Sequence, residues 1–514
     1  MSEPDPLQSD DTVSRVNRES TSESESESES ESESNSETGR SSADRPPGPR
    51  GLPLIGSTLS IARDPLEFVE SARAYGDVVG YEAYGTEFAL VFEPHVVESV
   101  LVSRADEFRK GEFETDFGDL VAPEGVAFTE GDRWRRQRQL LQSSFTPDRI
   151  RSYGDGMVTE ARTLVDEWND GETIALSETL STYTLRVLTR TLFDLPLEDD
   201  RAAIVRRAAT ALNDYASPGR LALESVVPSW LSTPTEREYE TAMADLEALV
   251  DDLVVERRAA DTTGTGEDLL SVLAGAEYPD GSRLSSEEVR DQLVTFFFAG
   301  HETTATALTV ACWLLAGNAA IHAELQSELE AVCGDREPTM ADLARLEYTE
   351  AVLRETMRLY PPIVGVYREP QSDVVLGGYR VPAGTTLQLS VYGIQRDERW
   401  WDEPAVFRPE RWLVDGDGSE RNDADDGEHE AGSENGERTL ESDPDRPEYA
   451  YFPFGGGPRH CLGMRFAMVE LQLALATIAR RVEFDRVAGT ETLEPSLGVT
   501  LDPGPAEVRV RKHG

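Results

Sequence analysis

From about residue 132 to residue 360, apolar residues recur at spacings of three and four, the period of amphipathic helices. Ahead of that block, "VVGYEAYGTEFALVFEP" (Val78 to Pro94) alternates as short strands do. Beyond it, "YRVPAGTTLQLSVYGIQRD" (Tyr379 to Asp397) alternates again and reads as a hairpin. A long helix is predicted over "LGMRFAMVELQLALATIARRV" (Leu462 to Val482). Another, expected over 285–316, opens with "SSEE", in which Ser285 and Glu288 have the spacing of a capping box. The chain shows no internal repeat and no obvious linker in its middle. The pattern therefore predicts one large domain, mainly α with a minor β region, an α+β fold.

Two segments carry no apolar period. Residues 1–45, with the run "SESESESESESES", hold 13 acids against 4 arginines, a net charge of −9. Residues 415–446 hold 13 acids against 3 arginines, a net of −10. Both read as disordered, solvated segments, the first a tail and the second an insert within the domain. Folding is expected to start at the proline-rich "RPPGPRGLPLIG" (Arg45 to Gly56), which gives a domain over 46–514. The two segments do not account for the acidity: the whole chain carries −49, so −30 stays on the folded body. Only Lys110 and Lys512 are lysines among 49 basic residues. Such a surface repels itself in dilute buffer, whereas molar salt shortens the Debye length to about 3 Å. The composition is that expected of an extreme halophile's protein.

Charge and cysteine usage also exclude several classes. Cys312, Cys333 and Cys461 are too few and too scattered for a disulfide framework, which suits a reducing cytoplasm. The N-terminus has no charged-then-apolar signal, and no uncharged run approaches the ~18 residues of a membrane span. The balance is far too acidic for phosphate-led nucleic-acid binding. The six histidines are scattered and expected at the surface, with none, His460 included, read as a metal ligand.

The chemistry concentrates in "FPFGGGPRHCLG" (Phe452 to Gly463). Three glycines remove Cβ atoms where a flat cofactor can lie against backbone. Cys461 directly precedes a helix, whose N-terminal N–H groups and dipole favour a thiolate. A single thiolate without further cysteines or histidines is a poor donor set for zinc or an iron–sulfur cluster and a good one for haem. Phe454 is placed to cover the sulfur and Arg459 to reach an anionic substituent. A second anomaly lies inside the helix expected over 285–316. Its apolar "LVTFFFAG" turns abruptly into "HETT". Buried Glu302 and threonines need a reason. Either Thr303 bonds back to the carbonyl of Ala299 and Glu302 finds a salt bridge, or the helix opens locally and Gly300 leaves room for dioxygen.

"FGGGPRHCLG" resembles the haem-ligand loop of the cytochrome P450 family. Four more motifs follow that family's order: "WRRQR" (Trp134 to Arg138), "AGHETT" (Ala299 to Thr304), "ETMR" (Glu355 to Arg358) and "FRPERW" (Phe407 to Trp412). The resemblance implies the P450 fold, with haem b (iron protoporphyrin IX) between the oxygen-binding helix and the cysteine-loop helix, and Cys461 as the metal ligand. It implies that Thr303 and Glu302 manage protons for the oxygen being split. Further haem contacts implied are Trp134, Arg138, Arg368, Arg459, Phe454, Gly455, Gly463, Ala299 and Gly300. Glu355, Arg358 and Arg411 become a structural ion network, and Phe296, Phe297, Ile363, Val364 and Val366 line the substrate pocket. Gln395 stands where many relatives carry histidine, a position that is structural at most.

The expected activity is a monooxygenase that hydroxylates or epoxidises an apolar small molecule with dioxygen. Electrons come from separate proteins, a ferredoxin-type donor and its reductase, docking near Arg135 and Arg136. Three alternatives stay open: a peroxide-driven hydroxylase, an isomerase or dehydratase of the same fold, and a haem-bearing electron carrier or sensor. "ETT" on the oxygen helix argues against all three.

Overall fold

Ser285 accepts from the Glu288 N–H while the Glu288 carboxylate takes the Ser285 N–H, so the expected capping box starts the helix Ser286–Ala316. This helix runs through the largest apolar core and buries nearly all of its "LVTFFF" stretch. The computed structural model describes residues 44–513 except 197, 225–232, 260–267, 276–277, 279–280, 416–437, 441–442 and 491. Around the central helix lie the helices Pro147–Glu167, Leu176–Leu192, Glu347–Leu359 and Met464–Ala479, which bury their apolar faces in the same core. The helices Asp199–Tyr215 and Pro234–Ala259 pack together and touch it from another side.

A second core lies under a five-stranded sheet in the order Val78–Ala83, Thr86–Val91, Thr386–Ser390, Gly365–Pro370, Phe108–Arg109. The stretch 379–397 is therefore not a hairpin. Tyr379–Val381 pairs with Val374–Leu376, while Thr386–Ser390 enters the larger sheet, parallel to Thr86–Val91 and antiparallel to Gly365–Pro370. All five residues of Thr386–Ser390 are buried, and a strand covered on both faces follows the sheet's centre rather than its sequence neighbour. The remainder, Val391–Ile394, is a short helix.

At the two sides of the acidic segment 415–446, Leu413–Asp415 pairs with Arg438–Leu440 as a short antiparallel ladder. The expected disorder of 1–43 and 416–437 concerns stretches outside the described residues. Among the described residues, no single helix is long and apolar enough to cross a membrane.

Candidate active site

The cysteine loop is built from turns that need glycine. Gly455 and Gly457 have φ of +70° and +62°. A Cβ on Gly457 would fall 1.8 Å from the carbonyl oxygen of Leu101, so only glycine lets the loop lie against that backbone. The Gly455 N–H donates to Phe452 O (2.9 Å), and the Cys461 N–H donates to Phe454 O (2.9 Å). Gly463 then caps the helix Met464–Ala479. Burial pushes the Cys461 thiol up, while the backbone N–H groups of Gly463 and Met464 and the charge of Arg138 oppose that rise. The residue is nevertheless exposed and not packed under side chains.

Beside the loop stands a cluster of cations. The Arg459 guanidinium lies 4.4 Å from the Trp134 ring and donates to Thr129 O at 2.9 Å. Arg138 is 6.0 Å from the same ring and contacts the His460 imidazole at 3.3 Å. Buried Arg368 sits 3.6 Å from Glu114, whose other oxygen takes the Lys110 ammonium at 2.9 Å. Burial lowers the pKa of all four cations, that of Arg459 to about 10 with help from repulsion by Arg368. Glu114 and Glu130 are the acids nearest them, so positive charge is in excess where water is scarce. Such a cluster is stabilised by anions. Lys110 was not found from sequence; its rarity in a chain of two lysines was the one available signal.

A third unit connects the loop to the helix Glu347–Leu359. Arg358 makes two bonds of 2.8 Å to Glu355, and both residues are fully buried. Glu355 also accepts from Arg411 Nε (2.9 Å), Trp412 Nε1 (3.0 Å) and the Arg408 N–H (3.1 Å). Arg358 donates to the carbonyls of Gln395 (2.8 Å) and Pro404 (2.7 Å). The Gln395 side chain donates to Met357 O and accepts the Phe452 N–H at 3.2 Å. Gln395 thus ties the ion network to the first residue of the cysteine loop. Neither that link nor the Trp412 contact was read from sequence.

The polar turn of the central helix stays helical throughout. Thr303 Oγ1 donates to Ala299 O at 2.9 Å, and no local opening occurs. A Cβ on Gly300 would fall 2.9 Å from Leu188, so the glycine lets the neighbouring helix come close. Ala299 is exposed and Thr303 half-exposed inside a buried helix, which marks the side turned to the interior. Among the described residues Glu302 forms no salt bridge of the expected kind: it bonds the amide of Asn213 and the hydroxyl of Thr500. Burial, with Asp502 adding to it, pushes Glu302 up to about 8. His301 and His322 are buried, against expectation; burial takes His301 down to about 4, and its ring meets the Phe297 carbonyl.

Comparison with known proteins assigns this arrangement. Residues 46–510 match the family model "Cytochrome P450". The chain belongs to the cytochrome P450 family. Cyclooctat-9-en-7-ol 5-monooxygenase of Streptomyces melanosporofaciens is 32% identical over 458 residues, 89% of this chain and 93% of that one. Pentalenene oxygenase of Streptomyces avermitilis is 32% identical over 434 residues, 84% of this chain and 89% of that one. A retinoic-acid-bound cyanobacterial P450, CYP120A1, superposes with a TM-score of 0.75 at 24% identity, over 92% of this chain and all of that one.

This P450 is a haem-thiolate monooxygenase that acts on an apolar small molecule with dioxygen and external electrons. Its residues fit the cofactor. Among the described residues no three His, Cys, Asp or Glu side chains converge on a metal site, and a lone exposed cysteine is the kind of donor that haem takes. The cation cluster suits two propionates. Of the residues expected at the pocket, Phe297 is wholly buried against Phe193, Phe296 stacks on Phe145, and Val364 belongs to the core under the sheet. Ile363 and Val366 keep accessible surface.

Proposed function

We propose that this P450 hydroxylates a cyclic isoprenoid in the cytoplasm of a halophilic host, with electrons from a ferredoxin and its reductase. The reading is carried by one pairing: an exposed cysteine directly before a helix, and a largely protonated acid beside a half-exposed threonine on the central helix. Bound to Cys461, the haem supplies oxygen activation. Trp134, Arg138, Arg368, Arg459 and Lys110 hold its propionates. Phe454 and Gly455 shape the wall behind the sulfur, while Gly463 and Met464 direct N–H groups at it. Glu302 is protonated at neutral pH and stores the proton that Thr303 passes on. Glu355, Arg358, Arg411 and Gln395 hold the loop in register and touch no substrate.

The substrate class rests on the relatives, a cyclooctat-9-en-7-ol monooxygenase and a pentalenene oxygenase, together with the accessible apolar surface that Ala299, Ile363 and Val366 keep. Arg135 and Arg136 are exposed and lie on the helix that carries Trp134 and Arg138, which makes them the basic spot for an acidic donor. The salt adaptation rests on the −30 carried by the body, where many arginines are already paired with acids. The deciding experiment is the carbon monoxide difference spectrum of the reduced holoenzyme, followed on the same sample by a screen with pentalenene and cyclooctat-9-en-7-ol. A spectrum lacking the thiolate signature overturns Cys461 ligation. Absence of any spectral shift with cyclic isoprenoids, alongside shifts with fatty acids, overturns the substrate class.

A further inference from the structure

The acid on the central helix is held by groups from two distant parts of the chain. Asn213, on the helix Asp199–Tyr215, donates its side-chain N–H to Glu302 and lies 3.4 Å from the Thr500 hydroxyl. Its side-chain oxygen accepts the N–H groups of Val499 (2.9 Å) and Thr500 (3.2 Å), in the turn between the paired segments Ser496–Leu497 and Leu501–Asp502. One primary amide thus uses both its donor and its acceptor side, a task that aspartate or leucine cannot perform. The turn is fitted to it: a Cβ on Gly498 would fall 2.7 Å from both the Asn213 carbonyl and its side-chain oxygen. The far end of the turn is fixed elsewhere, since the Leu501 N–H donates to Pro362 O at 2.9 Å and its carbonyl accepts from Thr306 at 3.4 Å. Asn213 is therefore the polar fastener between the helix Asp199–Tyr215, the turn and Glu302.

We infer that Asn213 is a latch: closing the helix Asp199–Tyr215 and the 498–500 turn over the interior and orienting the Glu302 carboxyl are one event. Asn213 acts through Glu302, so it is a positioning residue for oxygen activation. The inference rests on the reading of Glu302 as the proton store.

The test compares the wild-type holoenzyme with Asn213→Ala, Glu302→Gln and the double variant. Three readouts are taken: hydrogen exchange of the 499 and 500 amides, the association rate of imidazole followed by absorbance, and peroxide released per NADPH with a surrogate ferredoxin and its reductase. Asn213→Ala is expected to speed exchange at both amides by about tenfold and to admit imidazole several-fold faster. It should raise peroxide release to the level of Glu302→Gln, with no further rise in the double variant and with haem content unchanged. If Asn213→Ala loses haem, Asn213→Ser carries the same test. Unchanged exchange, or peroxide effects that add in the double variant, overturns the latch. If Glu302→Gln leaks no more peroxide than wild type, the proton reading falls and takes the latch with it. If Glu302→Gln leaks and Asn213→Ala does not, the latch alone falls.

Discussion

The cysteine side of the molecule and the central-helix side treat buried charge in opposite ways. On the cysteine side, Glu355 shares its two oxygens among two arginines, a tryptophan and a backbone N–H, and sees no solvent. On the other side, Glu302 hydrogen-bonds the neutral side chains of Asn213 and Thr500 and stays largely protonated near pH 7, because burial and the nearby Asp502 outweigh those bonds. A carboxylate with every lone pair taken is a rivet. A carboxylic acid with two neutral contacts has a proton to give. The difference separates residues that place the metal ligand from residues that serve the reaction.

The largest test of that contrast is Cys461→Ala, which should remove the thiolate signature from the carbon monoxide spectrum and reduce turnover to background. Next comes Glu355→Ala: stripping one partner from a buried ion network costs about 3–5 kcal/mol. It should lower the unfolding midpoint and the haem content per chain. Normal haem content in that variant would erase the distinction drawn here. Thr303→Ala, on the opposite side, should keep haem and stability. It should slow product formation on the order of 10²-fold while reducing equivalents drain into peroxide.

The pH dependence gives the smallest effect and the sharpest one. The Glu302 pKa rises from 4.5 to about 8 in the folded protein. Its contribution to stability is therefore complete below pH 4.5 and is lost as pH rises through about 8. Coupling of electrons to product should decline over that same upper limb as the proton store empties. Glu302→Gln should abolish the limb, which is checked by product per NADPH from pH 6.5 to 9. A persisting limb would assign it to another group.

The helices, the capping box at Ser285 and the cysteine loop were legible because each depends on local spacing. Local spacing could not show that Thr386–Ser390 joins a sheet through Thr86–Val91, three hundred residues earlier in the chain. The same holds for Lys110, Asn213 and Gln395, single polar residues whose meaning lies in partners far along the chain. Gly300 was only half legible for a related reason. Its lack of a side chain was visible, but the direction of the missing Cβ, toward Leu188, depends on how two helices pack. Phe296 and Phe297 belong to the buried apolar cluster, a membership that spacing alone does not separate from a place along a pocket wall.

The pairing of Asp415 with Arg438 brings the two ends of the acidic stretch to adjacent points on one small ladder. Chain length between such points is thermodynamically cheap, since each doubling of a flexible loop costs only about 0.6 kcal/mol. The P450 therefore carries a natural grafting point, where a ferredoxin inserted between Asp415 and Arg438 would leave and rejoin the host at almost the same place. Its electrons would then arrive at an effective concentration set by tether length rather than by expression level.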